Sequence, residues 1–335
     1  MFRKSLLVFG LGALMLWSVP SVASALTITP IRYEIAGDPG QTLSETMTLV
    51  NETNVAQTYY ASFSNFEAQG DTGSPTFVDP KEGLGTWITT DTASINLAPG
   101  QQKVIPFKIN IPANAEPGGH FAALFWGTSP GAQAGQVSVG SKTGMLILLS
   151  VNGDVADVGG LVDFLFHNNV HFYKKLPVGF QYRFSNQGGD RVKPTGSVVI
   201  RAILGWKVKE VNANQFDGNV LPGTTRKFAP EWAKRDSVDV RDQEIARHEA
   251  YSFTQAVRDE WHNFAVGIYR AKLDINFGTT DQTVKSKAVY FVVFPWELIL
   301  TLCVVITPIF FILRGALRRY NRRIIRKARI QFDTQ

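Results

Sequence analysis

The feature that most constrains this chain lies near its C-terminal end. Residues 296–313 read WELILTLCVVITPIFFIL, an eighteen-residue run in which Glu297 is the only charged residue. At about 1.5 Å per helical residue the run spans roughly 27 Å, close to the hydrocarbon thickness of a bilayer. Basic residues follow at once: Arg314, Arg318, Arg319, Arg322, Arg323, Arg326, Lys327 and Arg329, opposed only by Asp333. A charge at mid-bilayer costs about 2.5–3.5 kcal/mol on insertion scales, so the span ends at Arg314. Positive residues beside a span stay on the cytoplasmic side. The expected layout is therefore a transmembrane helix over 295–313, a basic cytoplasmic tail over 314–335, and everything before Pro295 outside the membrane. A buried core helix fits poorly, because eight basic residues stand directly behind the apolar run. Trp296 and Glu297 read as an interfacial anchor, and Pro308 breaks one helical hydrogen bond within the span.

The opposite end agrees with this topology. Arg3 and Lys4 precede an apolar run over 6–17, and Ala23-Ser24-Ala25 fits a small-residue cleavage site. That pattern predicts a signal peptide over 1–25 and a single-pass type I protein of the cell membrane. The formal charge of +6 then misleads. Arg3 and Lys4 account for +2 and residues 314–335 for +7, which leaves −3 for residues 5–313. A slightly acidic exported part offers no electrostatic case for nucleic acid. The minimal reading of the basic tail is a topology signal; contact with anionic inner-leaflet lipid is the alternative. The sole cysteine, Cys303, lies in the span, so no intramolecular disulfide is possible and each exported domain depends on its own apolar core.

Between the termini the chain reads as short strands punctuated by turns. Ile105, Phe107, Ile109 and Ile111 alternate with polar residues, as do Val178, Phe180, Tyr182 and Phe184, and again Ala271, Leu273, Ile275 and Phe277. Period-2 alternation means one buried and one wet face. Phe121–Trp126 and Met145–Val151 are apolar on both parities and read as central strands. The first strand is broken at Pro30, which suits an edge that changes partner. Pro39-Gly40-Gln41, Pro99-Gly100-Gln101 and Leu221-Pro222-Gly223 are turn signals. The parity of Val198, Ile200 and Ala202 continues through Leu204, Trp206 and Val208. The polar stretch Glu67–Gly85 reads as a surface loop and Pro130–Gln136 as a hairpin tip. Small and glycine-rich, Asn152–Gly160 marks a domain boundary.

The expected fold class is thus all-β: two immunoglobulin-like antiparallel β-sandwiches in tandem, over 26–153 and 154–294, followed by one transmembrane α-helix. A charged insertion over 230–262 interrupts the second sandwich. Its last part, Ser252–His262, reads as a short helix capped by Ser252 or Thr254. Almost no linker separates the last strand, Ala288–Phe294, from the span, so this domain sits close to the membrane.

The chemical motifs are weak. GQVSVGSKT at 135–143 misses the phosphate-loop pattern, since Ser141 stands between the second glycine and the lysine. His167 and His171 are four apart but lie in strand-like sequence, without cysteine or clustered carboxylates to complete a metal site. His120 reads as a strand-start residue. Asn51-Glu52-Thr53 matches a glycosylation acceptor. Catalytic, cofactor-binding and metal-binding residues are all expected to be absent.

The layout resembles the WxL-interacting bacterial surface proteins. The likeness is carried by Thr29-Pro30, Pro39-Gly40-Gln41 and Pro117-Gly118-Gly119 in the first domain. In the second it is one of outline, with Asn186-Gln187-Gly188-Gly189 and Val220-Leu221-Pro222-Gly223. The resemblance implies attachment to cell-wall polymer through the first domain and to a surface protein through the second. The charged 230–262 segment departs from that pattern. The first domain's turn and strand style is also similar to that of pilus chaperones, which are soluble. Three functions follow as expectations: a membrane-anchored binding or adhesion scaffold, an envelope assembly or chaperone-like subunit, and a glycan-acting enzyme using carboxylates in loops such as Asp71–Trp87. The first is the main expectation.

Overall fold

The computed structural model describes residues 26–130, 140–234 and 252–332. The expected signal peptide, nearly all of the 130–136 hairpin tip, the middle of the charged insertion and the last three residues lie outside them. The chain divides into two compact units, Met1–Glu67 with Pro75–Asp154 and Ala68–Ser74 with Val155–Gln335. Each holds two packed β-sheets, and a single apolar helix follows.

The first unit contains β1 (Leu26–Thr29), β2 (Arg32–Gly37), β3 (Thr42–Asn51), β4 (Gln57–Gln69), β5 (Ser74–Val78), β6 (Ile88–Thr89), β7 (Ser94–Leu97), β8 (Gln102–Asn110), β9 (Gly118–Gly127) and β10 (Lys142–Val151). One sheet runs β1-β3-β8-β6 and the other β2-β10-β9-β4-β5, with β7 also on β4. The break at Pro30 does what a proline in a first strand suggests. Before it, β1 pairs antiparallel with β3; after it, β2 joins the other sheet and runs parallel to β10. The alternating residues Ile105, Phe107, Ile109 and Ile111 are buried against Met47, Leu49, Trp126, Ile147 and Leu149. Two apolar-on-both-parities runs lie where such runs belong, as inner strands β9 and β10.

The second unit contains β11 (Gly159–Phe166), a 3-10 turn (His167–Asn169), β12 (Phe172–Tyr173), β13 (Val178–Asn186), β14 (Thr195–Ala202), β15 (Lys207–Asn212), β16 (Thr225–Phe228), β17 (Glu231–Trp232), β18 (Gly267–Phe277), β19 (Gln282–Lys285) and β20 (Val289–Val293). Its sheets run β11-β13-β16, with β17 on β13, and β12-β20-β18-β14-β15, with β19 on β18. Again the leading strand changes sheets: β12 runs parallel to β20. Val178, Phe180, Tyr182 and Phe184 are all fully buried, as are Ala271 and Leu273.

Both sandwiches use one internal device. Asn51 ends β3 and is fully buried. Its amide nitrogen donates to the carbonyls of Val55, Leu97 and Ala98, and its oxygen accepts from Thr53 and Tyr59. Asn186 ends β13, is equally buried, donates to the Asp190 and Val220 carbonyls and accepts from Gly188 N–H. Each asparagine thus fastens a strand end to a loop preceding a Pro-Gly turn. In the second unit Asn186 N–H also reaches the Thr224 carbonyl, just past Pro222-Gly223. The Asn51-Glu52-Thr53 sequence is therefore a buried joint, with no free amide for a glycan.

Two local expectations need correction. Glu67–Gly85 is not a plain loop: it carries the end of β4, all of β5 and the start of a short helix, Leu84–Trp87. The parity through Leu204, Trp206 and Val208 fails because β14 ends at Ala202. A tight turn follows, in which Gly205 N–H meets the Ala202 carbonyl and Gly205 takes a φ of 108°. The backbone of the basic tail continues the helix of the apolar run. One helix runs Trp296–Phe332 through Pro308. Arginine, a good helix former, dominates the tail and gives the helix no reason to stop at Arg314.

Candidate functional site

The residues singled out in the sequence fall into two places. Arg314, Arg318, Arg319, Arg322 and Arg323 are exposed on the C-terminal half of the helix. Arg314, Arg318 and Arg322 recur every four residues and form one stripe. They lie about 26 Å or more from Glu297 along the axis. Pro308 is between them, where it lacks the N–H that would bond the Val304 carbonyl. The segment Trp296–Arg323 has a mean hydropathy of 2.3 over its apolar window, and 11% of that window is buried in protein, so its side chains face outward as a bilayer requires.

Trp296 and Glu297 belong to a second place, the junction of sandwich and helix. Phe294 N–H donates to the Tyr173 carbonyl at 2.8 Å, Pro295 is buried, and Ile299 N–H returns to the Pro295 carbonyl. The strand therefore passes into the helix without a linker. Glu297 is only 5% exposed. Its Oε1 accepts from Lys174 Nζ at 2.6 Å. The Lys174 ammonium also lies 5.1 Å from the centre of the Trp296 ring. From the other side comes the helix Phe253–His262, begun by a Ser252–Gln255 capping box. Its Glu260, 2% exposed, accepts the Leu298 N–H at 2.7 Å, which satisfies one of the orphan donors of the long helix. Lys175 pairs with Asp259 at 3.1 Å, and Leu176 N–H donates to the Asn263 carbonyl.

Two carboxyl groups thus meet beside one lysine. Glu260 Oε1 and Glu297 Oε2 are buried without a conventional partner among the described residues. Burial first, and the neighbouring Glu297 carboxyl second, push the Glu260 pKa up to about 7. Glu260 is therefore largely protonated in mildly acidic solution, and a single net negative charge is left for Lys174. The arrangement clamps the start of the helix. Lys174 and Glu260 were not singled out from sequence. The available signal was Glu297 itself: a carboxylate in an apolar run needs a partner.

The first unit holds a different feature. Leu146 N–H donates to the Ile31 carbonyl, at the start of the β2–β10 pairing. Backbone groups alternate sides along a strand, so those of Lys142 and Gly144 point the same way as Leu146. There β2 has already turned off at Pro30. Among the described residues no strand covers Lys142–Met145 on that side, and Ile31 beside it is 77% exposed. The part of β8 that β6 leaves open carries Lys103 and Pro106, which blunt an edge.

The histidines stay apart. His120, within β9, bonds the Glu116 carbonyl and packs on Trp87; His171 packs on Phe166; His167 is exposed in the 3-10 turn. No group of three or more metal-binding side chains occurs among the described residues.

No family model and no curated protein matches this chain. Solved structures do. The class 5 fimbriae chaperone CfaA shares 12% identity over 81% of this chain and 100% of its own, at a TM-score of 0.37. The E. coli chaperone DraB shares 10% over 80% and 97%, at 0.33, and the Pseudomonas aeruginosa CupB2 chaperone 9% over 80% and 100%, at 0.31. All three scores lie below 0.5, too low to carry a functional inference.

Proposed function

We propose that this chain is a single-pass, membrane-anchored protein of the bacterial envelope that holds another protein through an exported β-sandwich, an assembly or chaperone-like role and not a catalytic one. The observation that carries this reading is the uncovered edge at Lys142–Met145. A strand edge offers a ladder of N–H and C=O groups, which recognises an extended peptide and not a polysaccharide. The edge is short, unblunted by proline among its own residues, and flanked by the exposed Ile31. The arginine stripe favours the cytoplasmic side for the helix end and the outer side for both sandwiches. Direct passage of β20 into the helix supports a holder fixed to the membrane.

The test is site-specific photo-crosslinking in cells from the exposed position 142, with the full chain at its native level. The expected result is one discrete protein adduct, lost in the Ile31→Asp variant, whose altered side chain is on the surface. Adducts to cell-wall polymer alone, or none in a correctly inserted protein, would overturn the holding role and return the choice to wall attachment.

A further inference from the structure

The second sandwich ends, on the side where the chain enters the helix, in apolar groups that its own core does not use. Gly267 and Ile268 pair with Val293 and Val292, the last residues of β20. Ile203 N–H donates to the Ile268 carbonyl, which brings the β14–β15 turn to the same end. That turn reads Ile203-Leu204-Gly205-Trp206, with Leu204 78% and Trp206 59% exposed. Phe264, Val266 and Ile268, on the approach to β18, are each near half exposed. The row continues through the exposed Phe294 into Trp296, the first residue of the helix.

The opposite end of the same sheet is different. There the β18–β19 turn reads Gly278-Thr279-Thr280-Asp281, and Asp157 accepts from Thr279. Exposed Phe216 and Val158 are scattered near this end, whereas at the helix end the exposed apolar groups run together from Ile203, Leu204 and Trp206 through Phe264, Val266 and Ile268 to Trp296. A polypeptide ending in leucine and tryptophan beside a membrane-spanning helix has the composition of an interfacial contact. Aromatic rings favour the headgroup level, and apolar side chains sink about 5–10 Å into the headgroup–acyl boundary.

We propose that this end of the second sandwich is a lipid-binding surface that rests on the outer leaflet, with the Ile203–Trp206 turn inserted among the headgroups. The proposal rests on the reading of Trp296–Arg323 as a span. The occupant is the bilayer, because the surface is continuous with the helix that enters it. The sandwich is then held at two separated points, the helix and the turn, and its orientation on the membrane is set.

The experiment uses the full chain in lipid vesicles, with an environment-sensitive fluorophore on single cysteines. One label is on native Cys303; the others are on Leu204→Cys and Thr280→Cys in a Cys303→Ser background. Leu204 and Thr280 lie on the surface, so neither change disturbs the core. Nitroxide lipids with shallow or deep spin positions serve as quenchers. The label at 204 should lose about half or more of its emission to the shallow quencher, as befits a group in the interfacial layer. The label at 303 should respond to the deep quencher, and that at 280 to neither. If 303 is quenched while 204 is not, or if 280 is quenched as strongly as 204, the seated turn is wrong and the span stands. If 303 escapes the deep quencher, the span fails and the seat fails with it.

Discussion

The two sandwiches follow one plan and close it differently. In each, the first strand divides between the two sheets and its second part runs parallel to the last strand. In the first unit that closing strand, β2, is six residues long; in the second, β12 is only two. The second unit adds what the first lacks. The residues just after β12, Lys174 and Lys175, reach Glu297 and Asp259, so side chains and a helix secure the edge that a strand secures in the first unit. The cores differ in the same sense. The first is mostly aliphatic around Trp126. In the second, Phe291 of the last strand touches five rings, those of Phe166, Tyr173, Phe180, Trp232 and Tyr269. The difference teaches that the second sandwich concentrates its packing on the strand that is joined to the apolar helix.

The largest test of that contrast is Phe291→Ala. Removing a fully buried ring should cost about 3–5 kcal/mol. Calorimetry of the full chain in detergent should show the second unit's transition falling and the first unit's unchanged; a common loss would deny that the cores are independent. Next are the paired asparagines. Asn51→Ala and Asn186→Ala each orphan buried carbonyls and N–H groups, at about 2–4 kcal/mol, with the greater loss at Asn51 because it makes more bonds. Equal losses, or a loss in the wrong unit, would break the parallel.

The junction adds a pH dependence to the second unit alone. The folded-state pKa of Glu260, about 7, is above the ordinary carboxylate value, so the folded state binds the proton more tightly. Its contribution is fully present below about pH 4.5 and is lost as pH rises through 7, a change of up to roughly 3 kcal/mol. Hydrogen exchange at the Leu298 amide, corrected for intrinsic rate, should show protection falling over that window. Glu260→Gln should flatten the profile, while a persistent slope in that variant would assign it elsewhere. The smallest effect is expected from Lys175→Ala. Its ion pair with Asp259 is partly exposed, and its removal should cost under about 1 kcal/mol in thermal unfolding.

Much of the fold was legible in the sequence, for a plain reason. Strict alternation at Ile105–Ile111, Val178–Phe184 and Ala271–Phe277 is the period of a half-buried strand, and all three became core strands. Pro30 correctly marked a strand that changes sheets, and Ser252 marked a helix start. Alternation misled at Leu204 and Trp206, because a glycine turn of even length preserves parity while leaving the core. Tail helicity escaped notice because charge pattern reports topology, not backbone conformation. The junction was half legible. Glu297 stood out against its apolar neighbours, but Lys174 and Glu260 approach it from 123 and 37 positions away, and nothing local announces such a meeting. The uncovered edge at Lys142–Met145 depends on where β2 leaves the sheet, which is a property of pairing and not of composition.

The most direct test of the account is the accessibility of two single cysteines in intact spheroplasts, in a Cys303→Ser background and with a membrane-impermeant maleimide. Thr280→Cys, on the second sandwich, should react at once, and Tyr320→Cys, on the arginine-bearing part of the helix, only after the membrane is permeabilised. The reverse pattern, or immediate reaction at both, would contradict a helix that crosses the membrane and carries its sandwiches outside.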